Sequence, residues 1–237
     1  MQAERARPTA PGQADRAEGT GQVNTGVRAL LRLPRAYRLM QWFLGTRRAR
    51  ERVIAEHFRP VEGSSVLDLG CGPGSLLPAL PPLRYVGIDL EPGYIEQARR
   101  DFGDRGEFHA GSAADLEAFA PESFDLVMAN ALLHHLDDAT ATRMIGGAHR
   151  VLRPGGRLVT LDNAWVPGQP WIARTLIGWD RGQHVRTPEG YRALVEPLFG
   201  PVRAVVRQDL LRIPYTLVIL EAVKAPGAAA APGILRT

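Results

Sequence analysis

The chain has 237 residues, 45% hydrophobic and 23% charged, which is enough to bury the core of one α/β domain. Its net charge of +4 is uneven, since residues 1–59 hold twelve arginines against five acidic residues while the rest is slightly acidic. Cys71 is the only cysteine, which excludes an internal disulfide framework and a cysteine-based zinc cluster. Because no apolar run reaches about 18 residues and no signal-peptide core begins the chain, we expect a soluble, cytoplasmic protein without membrane insertion.

The two ends of the chain have the composition of disordered segments. Residues 1–26 are rich in small and polar residues and arginine, and residues 225–237 are rich in Ala, Pro and Gly. A basic arm of this kind can touch nucleic acid or an anionic membrane. Its arginines are scattered and lack interleaved aromatic residues, which favours a solvated arm. Residues 27–224 are therefore predicted to form a single domain.

An amphipathic helix is predicted over residues 36–58, with a break near Gly45. Its apolar positions, among them Trp42 and Ile54, suit either a lid over a ligand or a helix packed on a sheet edge. Both interpretations stay open.

The most informative stretch is Val66 to Gly74, a buried strand followed by glycine at positions 70, 72 and 74. Glycine permits positive φ angles and lets a ligand approach the backbone closely. A helical segment is predicted from Ser75 to Leu80, and its free amides would favour an anionic group. Asp68 can take an ammonium group or cap the amides of the loop.

A second strand, Arg84–Ile88, ends at Asp89, and Pro92 suits the first turn of the helix that follows. An acidic residue in this position can accept both hydroxyls of a ribose. The alternative is a surface aspartate that caps the helix.

Strands and helices alternate along the rest of the chain, which predicts a parallel sheet covered on both faces. The remaining strands are predicted at Glu107–Ala110, Phe124–Asn130, Arg157–Leu161, Val202–Gln208 and Tyr215–Val223, with helices beginning at Asp137 or Asp138 and at Thr187.

The stretch from Asp68 to Gly74 (DLGCGPG) resembles motif I of the class I S-adenosylmethionine-dependent methyltransferases. Asp89, the His134–His135 pair after the fourth strand and the turn Leu152–Gly156 are similar to later landmarks of that family, in the same order. The resemblance implies a three-layer αβα Rossmann-like fold with a seven-stranded, mostly parallel sheet and an antiparallel C-terminal strand. It also implies an enzyme whose cofactor is S-adenosyl-L-methionine and whose cofactor product is S-adenosyl-L-homocysteine.

The resemblance assigns ten residues to the cofactor. In the family an aspartate usually follows the glycine after the third strand and contacts the adenine, but Ser112 occupies that place here. The predicted cofactor-binding residues are Asp68, Gly70, Cys71, Gly72, Gly74, Asp89, Leu90, Ser112, Ala113 and Asn130.

Methyl transfer depends mainly on placing the acceptor and excluding water, and a hydroxyl acceptor also needs a base. His134 and His135 follow the fourth strand, where parallel sheets bind ligands, and are the predicted catalytic residues, with His135 preferred. The alternative is that one of them caps a helix or packs beneath the cofactor. Adjacent histidines on a helix point to different sides, and no carboxylate cluster lies nearby, so we expect no metal.

Residues 162–186 form the longest segment without a clear element, and we predict that they form the acceptor pocket. Three tryptophans in this segment would supply an apolar wall, and its arginines could hold a carboxylate or phosphate. Alternatively, Arg186 pairs with acids on the sheet edge. The predicted substrate-binding residues are Trp165, Arg181, His184, Arg186 and Tyr215.

The sequence is best interpreted as a bacterial, S-adenosylmethionine-dependent methyltransferase of a small molecule, with oxygen favoured over nitrogen or carbon as the acceptor atom, in secondary or glycan and lipid metabolism. Ser75 breaks the Gly-x-Gly-x-x-Gly pattern of nicotinamide enzymes. A nucleic-acid methyltransferase is disfavoured because Asn130 is not followed by Pro-Pro-aromatic, so no nucleic-acid partner is expected. A non-catalytic protein that binds S-adenosylmethionine stays open, as does the oligomeric state.

Overall fold

The computed structural model describes residues 46–179 and 182–226. The predicted arm (1–26), the first part of the predicted lid helix (36–45) and most of the predicted tail (227–237) lie outside the described residues.

Strands and helices alternate as predicted. The strands are β1 (Ser65–Leu69), β2 (Arg84–Asp89), β3 (Gly106–Ala110), β4 (Phe124–Asn130), β5 (Leu152–Asn163), β6 (Arg203–Arg207) and β7 (Leu217–Val223). The α-helices are α1 (Thr46–Val53), α2 (Pro92–Phe102), α3 (Asp138–Val151), α4 (Trp171–Trp179) and α5 (Pro188–Phe199). Short helical turns occupy Ile54–Phe58, Leu77–Ala79 and Leu133–His135.

The seven strands form one sheet in the order β3-β2-β1-β4-β5-β7-β6. β1 to β5 are parallel, and β7 runs antiparallel to both β5 and β6. The predicted fold class is confirmed. The chain winds outward from β1 in both directions, so the sheet has a switch point between β1 and β4, where sheets of this type bind ligands at the carboxyl ends of the strands.

Each face of the sheet carries its own hydrophobic core. On one face, Met144 and Ile145 of α3 and Val195 of α5 pack on alternate strand residues. On the other face, Ile95 of α2 and the α1 region pack on the remaining ones. This arrangement gives the three layers, and it places α1 on the same face as α2.

Local capping chemistry explains where two of the helices begin. The Asp137 carboxylate accepts a hydrogen bond from the Thr140 amide at 2.7 Å, and the Thr187 hydroxyl accepts one from the Gly190 amide at 3.2 Å. Both predicted starts are confirmed.

Ion pairs fasten α1 and the turn after it to the β6–β7 side of the sheet. Arg52 binds Asp209 at 2.9 Å, Arg207 binds Glu56 at 2.6 Å, and His57 binds Glu221 at 2.8 Å. The hydrogen bond from Arg207 holds the pKa of Asp209 well below its usual range. The described part of the predicted lid helix therefore packs on the sheet, and a lid role for the rest stays a prediction.

Several boundaries differ from those predicted, most of them by one or two residues, and two differ more. The helix expected over residues 75–80 is a single turn at Leu77–Ala79, because Pro78 lacks an N–H and prolines at 81 and 82 stop helical continuation. β5 begins at Leu152 and so includes the segment predicted as a turn, because Leu152 already pairs with Phe124 of β4. The strand continues to Asn163, and its residues from Arg157 onward pair one by one with β7. None of the described helices is long and apolar enough to cross a membrane.

The core on the α3 face makes a stability prediction. Ile145 is fully buried, whereas Val206 of β6 is 43% exposed. We expect Ile145→Ala to lower the free energy of unfolding by about 2–5 kcal/mol, because it leaves a cavity. Val206→Ala should change it by about 0.5 kcal/mol or less. Urea unfolding followed by circular dichroism measures both, and equal losses would contradict the packing described.

Candidate active site

The glycine-rich loop after β1 is pinned to the end of β2. Gly70, Gly72 and Gly74 have φ angles of +70°, +54° and +76°. The amides of Gly70 and Cys71 donate to the Ile88 carbonyl at 2.8 and 3.1 Å. The Gly72 amide donates to Asp89 Oδ2 at 2.8 Å. The loop is thus held open by main-chain and carboxylate contacts together.

Asp89 also accepts the Glu91 amide through Oδ1 at 2.9 Å. Burial raises the pKa of Asp89, and the backbone amides oppose that shift. Each carboxylate oxygen keeps further acceptor capacity. The position therefore suits the predicted ribose contact, which stays a prediction.

Asp68 lies beneath the loop and is 1% exposed. Its Oδ2 accepts the Tyr85 hydroxyl at 2.6 Å, and its Oδ1 has no hydrogen-bond partner among the described residues. Burial raises the pKa of Asp68 to about 7, against the lowering effect of the Tyr85 bond. Of the two roles considered for Asp68, the cap of the loop amides is wrong, because the Gly72 amide donates to Asp89 instead. The other role considered for Asp68, binding an ammonium group, stays a prediction.

A cavity of about 190 Å³ opens above Asp68, and its lining joins α1 to the ends of β1 and β4. Arg50 of α1 reaches it and donates to the Ser75 carbonyl at 3.2 Å. A guanidinium beside a buried carboxylate suits a ligand that carries both a carboxylate and an ammonium group. A Cβ added at Gly72 would meet no heavy atom within 4 Å, so that side of the loop is open to a ligand. The lining residues are Arg50, Asp68, Gly70, Cys71, Ser75, Leu76, Asn130 and Ala131.

These features fit the predicted cofactor, a nucleoside joined to an amino acid. The sequence gave no signal for Arg50, which reaches the cavity only because α1 crosses the glycine loop. Ala131 was also missed. It adopts a φ of +58°, rare for a residue with a side chain, directly after β4, and its amide donates to the Leu161 carbonyl at 2.7 Å. Backbone strain of this kind is often found at ligand sites.

The other predicted cofactor residues lie around the same edge of the sheet. Ser112 and Ala113 are half-buried in the turn after β3, where Ser112 Oγ accepts the Ala114 amide at 3.2 Å. Leu90 is exposed after β2. Cys71 is buried, and burial raises the pKa of its thiol far above the usual value. The roles of these residues stay predictions.

The two histidines after β4 occupy a short turn, not an α-helix. Their rings stack with centroids 4.1 Å apart at 41°, so the expectation that they point to different sides is wrong. His134 is 3% exposed, and both its amide and its Nδ1 contact Asp162 Oδ1, at 3.1 and 2.8 Å. Burial raises the pKa of Asp162, and the hydrogen bond with His134 opposes that shift.

Gly182 covers His134. A Cβ at Gly182 would lie 2.2 Å from Cδ2 and 2.6 Å from the carbonyl oxygen of His134, so only glycine fits. The His184 amide donates to that carbonyl at 3.0 Å. Because His134 is covered and fixed by Asp162, its predicted contact with the acceptor is not supported. His135 is half-buried and remains the candidate base.

The predicted acceptor segment, residues 162–186, leaves the sheet and returns to it, and we call it the excursion. Its two ends are joined to each other at a point that we call its neck. Ala164 and Arg186 form a β-bridge, and the Trp165 amide donates to the Arg186 carbonyl at 3.1 Å. The segment was expected to lack regular structure, but it contains α4. Trp171 and Trp179 are 75% and 66% exposed, so the predicted wall of three tryptophans does not form. Trp165 is half-buried, with the Arg174 guanidinium 5.6 Å from its ring centroid.

Arg186 is a structural clamp rather than a substrate contact. Its five N–H groups donate twice to Asp138 Oδ1 and once each to the carbonyls of Leu133, His184 and Leu136, at 2.6–3.0 Å. The prediction that it holds an anionic acceptor is therefore corrected in favour of the ion pair. Arg181 lies outside the described residues.

Tyr215 lies at the ligand edge of the sheet, where its hydroxyl accepts Asn163 Nδ2 at 3.1 Å. Asn163 was missed by sequence reasoning, since it was placed in a loop and not at the end of β5. No group of three or more metal-binding side chains occurs within residues 46–179 and 182–226.

A parallel sheet of this order, with a glycine-rich loop after β1 and an acidic residue ending β2, defines the class I S-adenosylmethionine-dependent methyltransferase fold. Residues 66–156 match a family described as a methyltransferase domain. Residues 66–156 are therefore similar to a methyltransferase domain and lie within a fold of the class I kind, and S-adenosylmethionine is the cofactor of that class.

Two curated relatives show the range of related proteins. The chain is 37% identical over 127 residues to a ubiquinone biosynthesis O-methyltransferase of Xanthomonas euvesicatoria. The aligned region covers 48% of this chain and 52% of the relative. It is also 38% identical over 109 residues to an aclacinomycin 10-hydroxylase of Streptomyces purpurascens. Here the aligned region covers 44% of this chain and 29% of the relative. The chain thus spans about half or less of these relatives, so the likeness describes the domain.

The fold is similar to that of a Haemonchus contortus phosphoethanolamine N-methyltransferase solved with S-adenosylhomocysteine. That structure has a TM-score of 0.65 and 16% identity, covering 83% of this chain and 58% of the other. At this identity the likeness shows the fold alone.

The burial of Asp68 makes a prediction about stability and pH. Because its pKa is raised from 3.8 to about 7 in the folded protein, ionisation removes stability as the pH rises through that window. Asp68→Asn should therefore be more stable than the wild type at pH 8, by on the order of 4 kcal/mol. The two should converge near pH 4.

Urea unfolding of both proteins across pH 4–8 measures the difference. A pH-independent difference for Asp68→Asn would contradict an ionisable, unpaired carboxylate at this position.

The Arg186 clamp makes a second prediction. Arg186→Met keeps the apolar stem but leaves the carbonyls of Leu133 and Leu136 without these donors, so the free energy of unfolding should fall by about 1–3 kcal/mol. Arg192→Met removes only an exposed pair with Glu196 and should cost less than about 0.5 kcal/mol. Chemical unfolding compares the two, and similar small losses would show that the clamp is not structural.

Proposed function

We propose that this chain is an S-adenosylmethionine-dependent methyltransferase that methylates a small molecule, with oxygen as the favoured acceptor atom. The observation that carries the proposal is the cavity between the pinned glycine loop and buried Asp68. There an open backbone surface, a guanidinium and a carboxylate with an unpartnered oxygen converge. The match of residues 66–156 to a methyltransferase domain supports it.

When bound, S-adenosylmethionine supplies a methyl group activated by a sulfonium. His135 would take the proton that a hydroxyl acceptor loses when it is methylated, and the cofactor would leave as S-adenosylhomocysteine. Asp68 and Arg50 would hold the amino-acid end of the cofactor, and Asp89 would hold the ribose. Asp162 fixes His134, whose ring stacks against His135 and limits its orientation.

Oxygen is favoured because the Xanthomonas relative is named an O-methyltransferase and because a histidine follows β4, where a hydroxyl would need a base. A place in bacterial secondary, glycan or lipid metabolism belongs to the same proposal, as does a cytoplasmic location. A nucleic-acid acceptor finds no support in the described residues.

The Streptomyces relative, a named hydroxylase, favours a second candidate, in which the domain binds S-adenosylmethionine without transferring its methyl group. Incubation with methyl-labelled cofactor and a panel of hydroxyl-bearing acceptors separates the two. Label in an acceptor supports the first function, whereas tight cofactor binding without any transfer supports the second.

Thermal melting tests the proposal at the level of the ligand. S-adenosylhomocysteine at a hundredfold excess over Kd should add about 2.7 kcal/mol of stability, whereas NADH and NADPH should add none. A shift with a nicotinamide cofactor alone, or with none of the three, would contradict the proposal.

A matched pair of glycine variants locates the ligand. Gly63 and Gly72 both have positive φ angles, and a Cβ at either meets no heavy atom within 4 Å. Gly63→Ala and Gly72→Ala should therefore lose similar stability, about 1 kcal/mol. Only Gly72→Ala should weaken S-adenosylhomocysteine binding, by tenfold or more in calorimetry, because its methyl group fills space meant for the ligand. Equal affinities would place the ligand elsewhere.

A further inference from the structure

Three polar side chains form a row across one face of the sheet. Asp68 of β1, Asn130 of β4 and Asn163 of β5 lie on the face that packs against α1 and α2. Each of them lies two residues beyond a core residue of that face, and side chains two apart on a strand share a face. The register pairs Asp68 with Met128 and Asn130 with Leu161. Going from one residue of the row to the next therefore means moving to the neighbouring strand and two residues further toward its carboxyl end. One such step is about 8 Å, given strand spacings of about 4.8 Å and a rise of about 3.3 Å per residue.

The row begins at the cofactor cavity and continues past it. Asp68 and Asn130 line the cavity, and Asn163 lies one step further toward the carboxyl edge. Tyr215 extends the row on the far side, just before β7.

Asn163 is oriented and incompletely satisfied. It is 2% exposed, and its Nδ2 donates to the Tyr215 hydroxyl at 3.1 Å. Its Oδ1 is buried without a hydrogen-bond donor among the described residues. Buried acceptors are nearly always paired, so this oxygen points to a donor supplied by a ligand.

The Asn163 amide nitrogen already donates to Tyr215, so the atom of this side chain without a partner in the described structure is the acceptor Oδ1. An acceptor suits a substrate with hydroxyl or amino groups and disfavours a carboxylate or phosphate.

We propose that Asn163 determines acceptor specificity, by accepting through Oδ1 a hydrogen bond from a hydroxyl or N–H group of the substrate, with Tyr215 as the positioning residue that fixes its amide. This inference rests on the proposed methyltransferase function and names its substrate class, a neutral or cationic molecule bearing hydrogen-bond donors.

The test uses the full chain saturated with S-adenosylhomocysteine and three probes, resorcinol, its dimethyl ether and benzoate, titrated by ligand-observed NMR. Resorcinol should bind at least tenfold more tightly than the ether or benzoate. Asn163→Leu should abolish that preference, and Tyr215→Phe should reduce it. S-adenosylhomocysteine affinity should stay within twofold of the wild type in both variants.

The chain offers a matched control in Gln208, whose Nε2 donates to the Thr216 hydroxyl at 3.1 Å in the same part of the fold. Gln208→Leu should keep the preference for resorcinol. If Asn163→Leu fails to fold, Tyr215→Phe carries the test, because it removes only the hydroxyl that fixes the Asn163 amide, and an unchanged preference in that variant would overturn the inference.

Tighter binding of benzoate, equal binding of the ether, no binding of resorcinol at millimolar concentration, or a preference that survives Asn163→Leu would each overturn the inference. Failure of the proposed function is distinguishable, because the same samples would then not bind S-adenosylhomocysteine.

Discussion

The hydrogen bond from the Gly72 amide to the Asp89 carboxylate ties two neighbouring strand ends together and fixes the loop between them. With the loop held in place, three glycines can keep positive φ angles and leave the backbone bare toward the cavity. The buried carboxylate of Asp68 then lies directly beneath that surface, at the switch point of the sheet. The two aspartates thus have different structural roles, since Asp89 shapes the loop and Asp68 places a carboxyl group beneath it.

The acceptor side of the sheet depends on a separate constraint, the closed neck between Ala164 and Arg186. Arg186 joins that neck to the turn that carries the histidines, and Gly182 lets the returning chain lie against His134. The excursion and the histidine turn therefore form one unit. A change in the excursion can reposition His135 without touching the cofactor cavity.

Sequence reasoning worked where a local pattern has a local physical cause. The β1 strand with its glycines, the acidic end of β2 and the caps at Asp137 and Thr187 each depend on a few adjacent residues. It failed where partners are distant in sequence, as for His134 with Asp162 and Asn163 with Tyr215, because only strand register brings them together. α4 was missed because it buries only Ala173 and Ile177, too few residues to give a clear apolar stripe.

Asp68 is proposed to bind the ammonium group of the cofactor through its buried carboxylate. Calorimetric titration with S-adenosylhomocysteine at pH 6 and pH 8, in two buffers of different ionisation enthalpy, tests it most directly. Because the pKa of Asp68 is about 7 in the free protein, affinity should rise with pH across this range, and binding at pH 6 should release protons. Binding that is independent of pH, with no proton release, would contradict the account.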